Sequence, residues 1–169
     1  AALQLAKISG ARVIAAVGSE QKRKLVEKYN PELVINYQEE NLRETVEAHF
    51  GKRPVNIFYD QVGGQAYDEG VKLLSSEGRA LIVGFASGNI PSQLLSYLLV
   101  KNITIMGVFM ISFEDNDKDY LKSRIELIFE HYRNKKIEPV FEIIDFQNII
   151  EYLDLIGSRK TVGRIVAVK

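Results

Sequence analysis

The chain has 169 residues, 46% of them hydrophobic and 26% charged, with zero formal net charge. That length supports one domain with its own core, and the neutral balance argues against nucleic acid as the main partner. There is no cysteine and there are only two histidines, His49 and His131, which excludes a disulfide framework and any thiolate or histidine-rich metal site.

The opening "AALQLAKISG" starts inside a helical pattern, and residue 1 is Ala rather than Met. The apolar run "RVIAAV" (Arg12 to Val17) predicts a strand. Ser19 is placed to cap a helix over Glu20 to Lys28. "LVIN" (Leu33 to Asn36) predicts a strand, and Asn41 to Phe50 a helix ending at Gly51. "VNIFYD" (Val55 to Asp60) predicts a third strand, followed by two glycines and a helix over Gly64 to Leu74. "ALIVGF" (Ala80 to Phe85) and "ITIMGV" (Ile103 to Val108) are further strands. "ISFEDNDKD" reads as a solvated loop. Tyr120 to Tyr132 is helical, with Leu121, Ile125, Ile128 and Phe129 on one face. Phe146 to Ile156 is helical and ends at Gly157, and "RIVAVK" (Arg164 to Lys169) closes the chain as a strand.

Dense apolar runs alternating with helices are the signature of repeated βαβ units and a parallel sheet buried on both faces. No internal repeat, low-complexity tract or linker interrupts residues 1–169, so a single domain is expected. No apolar run reaches transmembrane length and no charged leader precedes one, so no membrane attachment is expected. The expected location is cytoplasmic, with the mitochondrial matrix left open.

"INY", "YDQVGG", "VGFASGNIP" and the closing "GSRKTVGRIVAVK" resemble the nucleotide-binding domain of medium-chain dehydrogenase/reductases. Within that family they are most similar to the zinc-independent NADPH:quinone oxidoreductase branch, essentially end to end. The resemblance implies an α/β, Rossmann-like, doubly wound parallel sheet. It also implies what is lacking: the first, central strand, the Gly-rich turn that holds a pyrophosphate at a helix N-terminus, and the GroES-like catalytic domain. On this reading the chain is a truncated, partial dinucleotide-binding domain that by itself binds cofactor poorly and turns over nothing.

A doubly wound sheet binds its ligand outside the carboxyl ends of its strands. NAD-type sites place an acid at the end of the strand that the resemblance matches to "RVIAAV", where this chain has Gly18. Lys22, Arg23 and Lys24 follow in the first turns of a helix, where the macrodipole disfavours cations. The 2′-phosphate of NADP would resolve that misfit. The resemblance favours Lys22 as the phosphate contact, with Tyr37 beside the phosphate or adenine and Arg159 approaching from the last turn. The alternative is a solvated basic face balanced by Glu20 and Glu27, and Glu20 keeps NAD open. The resemblance places Val62 and Gly63 near the adenosine half, whereas Asp60 reads from its position as a helix-capping or turn residue. It places Gly84, Phe85, Ala86, Val108, Phe109 and Met110 around the nicotinamide. Phe109 and Met110 could equally pack in a core or at a subunit contact.

No acid–base residue and no metal ligand is assigned. His131 sits in the solvated "EHYRNKK" and His49 at a helix end. Asp115, Asp117 and Asp119 match a calcium loop in composition only, without its glycine and bidentate glutamate. Hydride transfer asks of the protein mainly orientation and exclusion of water. The leading expectation is an oxidoreductase passing a hydride from NADPH to a quinone or an α,β-unsaturated carbonyl. Alternatives are an enoyl reductase acting on acyl chains and a catalytically silent dinucleotide-binding or adaptor protein. "VGFASG" and "SRKTVGRIVAV" argue against a methyltransferase. The resemblance places Asn102 to Met110, an apolar run free of Pro and charge, at the sheet edge and implies that it pairs with its own copy in a homodimer.

Overall fold

The structure, a computed structural model, describes residues 1–158 and 160–169, with the side chains of Glu114 and Asp115 outside the description. It consists of two compact units, one of Ala1–Ala15, Ser19–Val34 and Ile125–Lys169, the other of Ala16–Gly18 and Ile35–Arg124.

The elements run α1 (Ala2–Ile8), β1 (Ile14–Val17), α2 (Glu20–Glu27), β2 (Leu33–Asn36), α3 (Leu42–Phe50) and β3 (Val55–Asp60). After them come α4 (Gly64–Gly70), β4 (Leu74–Ile82), α5 (Leu95–Lys101), β5 (Thr104–Gly107) and α6 (Ile111–Asn116). The chain closes with α7 (Lys118–Arg133), β6 (Phe141–Asp145), α8 (Ile149–Gly157) and β7 (Arg164–Val168). Side chains cap the helices the sequence marks. Ser19 accepts from the Lys22 N–H, and Asn41 from the Glu44 N–H at 3.0 Å.

Strand pairing follows the order β1-β2, β3-β4-β5 and β6-β7. β3, β4 and β5 are parallel, with Phe58 opposite Ala80 and Ala80 opposite Ile105, and β6 and β7 are parallel with Ile143 opposite Val166. The parallel α/β class is the expected one. The ladder is nevertheless in pieces among the described residues. The described strands pair as three separate ladders.

Three elements lack a clear signal in the sequence. α5 lies in the apolar-rich run "QLLSYLLV" and has no side-chain cap. α6 is a six-residue helix where a loop is expected. β6 alternates in "FEIID", which dilutes its apolar density. β4 also begins at Leu74, earlier than expected, and the helix over Gly64 ends at Gly70 in a 3-10 turn, Val71–Leu73. The added segment "SSEG" bulges from the ladder, since Val55 faces Leu74 whereas Ile57 faces Arg79. It is tied down by Glu77 N–H donating to Asn102 O at 2.6 Å and by Asn102 Nδ2 donating to Ser76 Oγ at 3.1 Å. Arg53 reinforces the tie, donating from Nε to Leu74 O at 2.6 Å and from its guanidinium to Lys101 O at 2.7 Å.

Glu77 occupies this bulge with φ +63°, a conformation L-residues resist by about 1–2 kcal/mol. Glu77→Gly removes that strain while raising the entropy of the unfolded chain. The expected net result is a stability gain of about 0.5–1 kcal/mol in urea denaturation. A loss would show that the Glu77 side chain holds the bulge.

The core of the second unit is Tyr67, Val71, Leu74, Ala80 and Ile103, with Phe58, Tyr97, Leu98 and Ile105 packed against it. Gly70 admits Phe58 to this core. A Cβ at Gly70 would come within 2.3 Å of the Phe58 ring. In the first unit the buried Gln4 replaces apolar packing with two hydrogen bonds to the Glu138 backbone, at 3.0 and 2.8 Å. Among the described residues no helix is long and apolar enough to cross a membrane.

Candidate functional site

At the end of β1, Tyr37 N–H donates to Val17 O at 3.0 Å, which draws the Tyr37 phenol against Gly18. A Cβ on Gly18 would sit 2.7 Å from the Tyr37 hydroxyl and 3.1 Å from its ring. Gly18 is therefore bare because Tyr37 covers it, and no side chain, an acid included, fits there without moving Tyr37. Two expected site residues thus meet at one point. In the first unit, Lys22 stands in the first turn of α2, its N–H donating to the Ser19 cap at 3.3 Å. Arg23 pairs with Glu27 one turn on, at 3.3 Å.

The ends of β3 and β4 form a second group. Asp60 is buried, and its carboxylate accepts from Val62 N–H at 2.9 Å and from Gly63 N–H at 3.1 Å. This fixes the tight turn "QVGG", the turn role expected of Asp60. The loop after β4 is laced to the turn. Ala86 N–H donates to Gln61 O at 3.1 Å, Ser87 N–H to Val62 O at 2.9 Å, and Gly64 N–H to Asn89 O at 3.1 Å. Gly63, with φ +71°, lies beneath that loop. A Cβ on it would approach Asn89 O to 2.6 Å and Phe85 to 3.2 Å. The bare backbone at Gly63 is thus required by the protein itself. Gly84 differs, since a Cβ there would meet only Gln61 O at an ordinary 3.6 Å.

Val62, Gly63, Gly84, Phe85 and Ala86 are thereby brought to one rim. Val108 adjoins it, its N–H donating to Ile82 O at 2.9 Å. Phe109 and Met110 are well exposed and enter no core of this chain, which removes one of their two alternatives. Arg159 lies outside the described residues. Ser87 and Asn89, which organise the rim, carried no signal in the sequence beyond turn-forming residue types. Tyr67 beneath the rim is no base at neutral pH, because burial and the nearby Asp60 carboxylate push its phenol upward. Among the described residues no group of three or more His, Cys, Asp or Glu could hold a metal ion.

A separate cleft in the first unit is lined by Lys7, Lys28, Lys135 and Lys136 with Tyr29 and Glu138. These lysines stand at the C-terminal ends of α1, α2 and α7, where cations complement exposed helix carbonyls.

A family model described as zinc-binding dehydrogenase matches residues 1–128. The chain belongs to the zinc-binding dehydrogenase family. Among its relatives, quinone oxidoreductase-like protein 2 of Mus musculus is 31% identical over 157 residues, covering 92% of this chain and 45% of that protein. Acryloyl-coenzyme A reductase of Sulfurisphaera tokodaii is 28% identical, covering 98% of this chain and 46% of that protein. The solved Escherichia coli quinone oxidoreductase complexed with NADPH superposes with a TM-score of 0.88 at 24% identity, covering 99% of this chain and 52% of that one. At that identity the match speaks to the fold, which is Rossmann-like. The chain spans about half the length of the curated relatives it matches. The quinone oxidoreductase-like resemblance carried by "YDQVGG" and "VGFASGNIP" is met by these relatives.

Proposed function

We propose that this chain supplies the dinucleotide-binding part of an oxidoreductase that passes a hydride from NADPH to a quinone or an α,β-unsaturated carbonyl. The observation that carries the cofactor choice is Gly18 lying bare under Tyr37. Gly18 offers no acid to select the ribose 2′-hydroxyl of NAD, a side chain there would have to displace the Tyr37 phenol, and Lys22 in the first turn of α2 favours an anion. The relatives' names support the reaction class.

In this reading Lys22, Tyr37 and Arg159 hold the 2′-phosphate, and Val62 and Gly63 line the adenosine half. Gly84, Phe85, Ala86, Val108, Phe109 and Met110 flank the nicotinamide. Bound nicotinamide supplies the hydride. The chain's residues orient the ring and exclude water: Gly84 offers bare backbone for close approach, and the exposed apolar Phe109 and Met110 cover the ring when it is present. The acryloyl-coenzyme A reductase relative favours, as a second reading, an enoyl thioester as acceptor.

The test is titration of NADPH and NADH into the protein, followed by nicotinamide fluorescence. Tighter NADPH is expected, and equal or reversed preference overturns the assignment. Gly84→Val should leave the fold intact, since its Cβ finds ordinary contact only, and abolish NADPH binding. Unaltered binding in that variant would place the cofactor elsewhere.

The proposed assembly is a homodimer through β5, the terminal strand of the β3-β4-β5 ladder. The paired strand is shorter than expected, Thr104–Gly107 within Asn102 to Met110. Ile105 packs against the core, so a substitution there reports on folding and not on pairing.

A further inference from the structure

The lysine cleft of the first unit carries more positive charge than its own walls neutralise. Lys7 lies in the last turn of α1, Lys28 caps the end of α2, and Lys135 and Lys136 follow α7. Three helix ends contribute about half a negative charge each, and Glu138 is the one acid among the described lining residues. Against four ammonium groups this leaves a surplus of roughly +1.5. Glu138 is engaged as well, its carboxylate accepting from the Tyr29 hydroxyl at 2.8 Å. Glu32, which feels the charge of Lys7, is held by Arg12 Nε at 2.7 and 2.9 Å. Among the described residues none of the four lysines forms an ion pair. Like charges gathered in this way repel one another.

One of the four is also held in a strained conformation. The end of α7 is closed by Lys135 N–H donating to Tyr132 O and Lys136 N–H donating to His131 O, both at 2.9 Å, which is the Schellman pattern. That pattern puts Lys135 in the left-handed region, φ +56°, where glycine is usual. Helix capping accounts for glycine or asparagine there and not for lysine. The walls of the cleft are fixed in advance. Gln4 is buried, and its side chain both donates to Glu138 O at 3.0 Å and accepts from Glu138 N–H at 2.8 Å, tying α1 to the segment after α7. Tyr29 ties the end of α2 to the same residue. The cleft measures about 480 Å³, within the range of about 300–1,000 Å³ that small-molecule sites span.

We propose that this cleft binds a compact oligophosphate, a ligand with two or more linked phosphates. Lysine binds phosphate as a point charge, whereas planar carboxylates favour the arginine fork, which the described lining lacks. The site is separate from the one proposed for the cofactor. Lys22 stands in the first turn of α2 and Lys28 at its other end, roughly 9 Å further along the helix axis at 1.5 Å per residue. A free oligophosphate and the phosphate chain of a nucleotide share the chemistry.

The experiment titrates inorganic tripolyphosphate into the protein that carries this chain, by calorimetry at low salt. One equivalent per chain should bind, and orthophosphate should bind at least about tenfold more weakly. Lys28→Gln combined with Lys136→Gln should lose at least about tenfold in affinity with unchanged circular dichroism, whereas Lys22→Ala should keep wild-type affinity. Lys135→Gly separates binding from structure, because it relieves the left-handed strain and removes one ammonium group. Its urea midpoint should rise while its affinity for tripolyphosphate falls. ATP is the second probe. ATP that binds more tightly than tripolyphosphate and weakens in the double variant supports the site with a nucleotide as its ligand, and ATP that binds there more weakly supports it with the free oligophosphate. No binding, several equivalents bound, binding lost in Lys22→Ala, or unchanged affinity in the double variant or in Lys135→Gly overturns the proposal. So does tighter binding of citrate, or of poly-glutamate as a stand-in for an acidic peptide, than of tripolyphosphate.

Discussion

Gly63→Ala is expected to destabilise the chain by about 2–4 kcal/mol, combining the cost of an L-residue in the left-handed region with overpacking. Its Cβ would come within 2.6 Å of Asn89 O, a backbone atom that cannot rotate away, and within 3.2 Å of Phe85. To make room, the loop must lose the bond from Gly64 N–H to Asn89 O or move Phe85. Gly88→Ala is the control. Gly88 has a similar φ of +80°, but a Cβ there meets nothing within 4 Å. That variant should lose only the conformational part, about 1–2 kcal/mol. Denaturant midpoints for the two variants separate strain from contact. Equal losses would show that Asn89 and Phe85 yield freely, and that the two strand-end loops are not one rigid rim.

The sequence is legible where one local rule decides the structure. "LVIN" and "VNIFYD" are found as strands within their expected bounds, because dense apolar runs between turn residues leave few alternatives. α2 and α3 begin where Ser19 and Asn41 can cap them. Legibility fails where distant partners decide. Ser75 to Gly78 look like a turn, yet Asn102 and Arg53, far along the chain, hold them in a bulged extension of β4. α5 has no cap, and its existence depends on Tyr97 and Leu98 finding the core.

At the site, "QVGG" was readable as bare backbone at a strand end but not for its cause. Only the fold shows that Asn89 and Phe85 occupy the space a side chain at Gly63 would need, whereas Gly84 keeps its space open. Gly18 is the converse case. Its lack of an acid is visible in the sequence, but the Tyr37 phenol that forbids one is a tertiary contact.

The central proposal is that Lys22, in the first turn of α2, meets the 2′-phosphate of NADP. Its most direct test needs only the adenosine half of the cofactor. Binding of 2′,5′-ADP and of 5′-AMP is measured by calorimetry on the protein that carries this chain, in its wild-type form and as Lys22→Ala. Removing a cation from the first turn of a helix does not weaken the helix, so the variant should remain folded. The wild-type chain should bind 2′,5′-ADP more tightly. Lys22→Ala should weaken 2′,5′-ADP by about 1.5–3 kcal/mol, roughly 10- to 150-fold, and leave 5′-AMP unchanged. Equal affinities in the wild-type chain, or equal losses for both ligands in the variant, would contradict the claim.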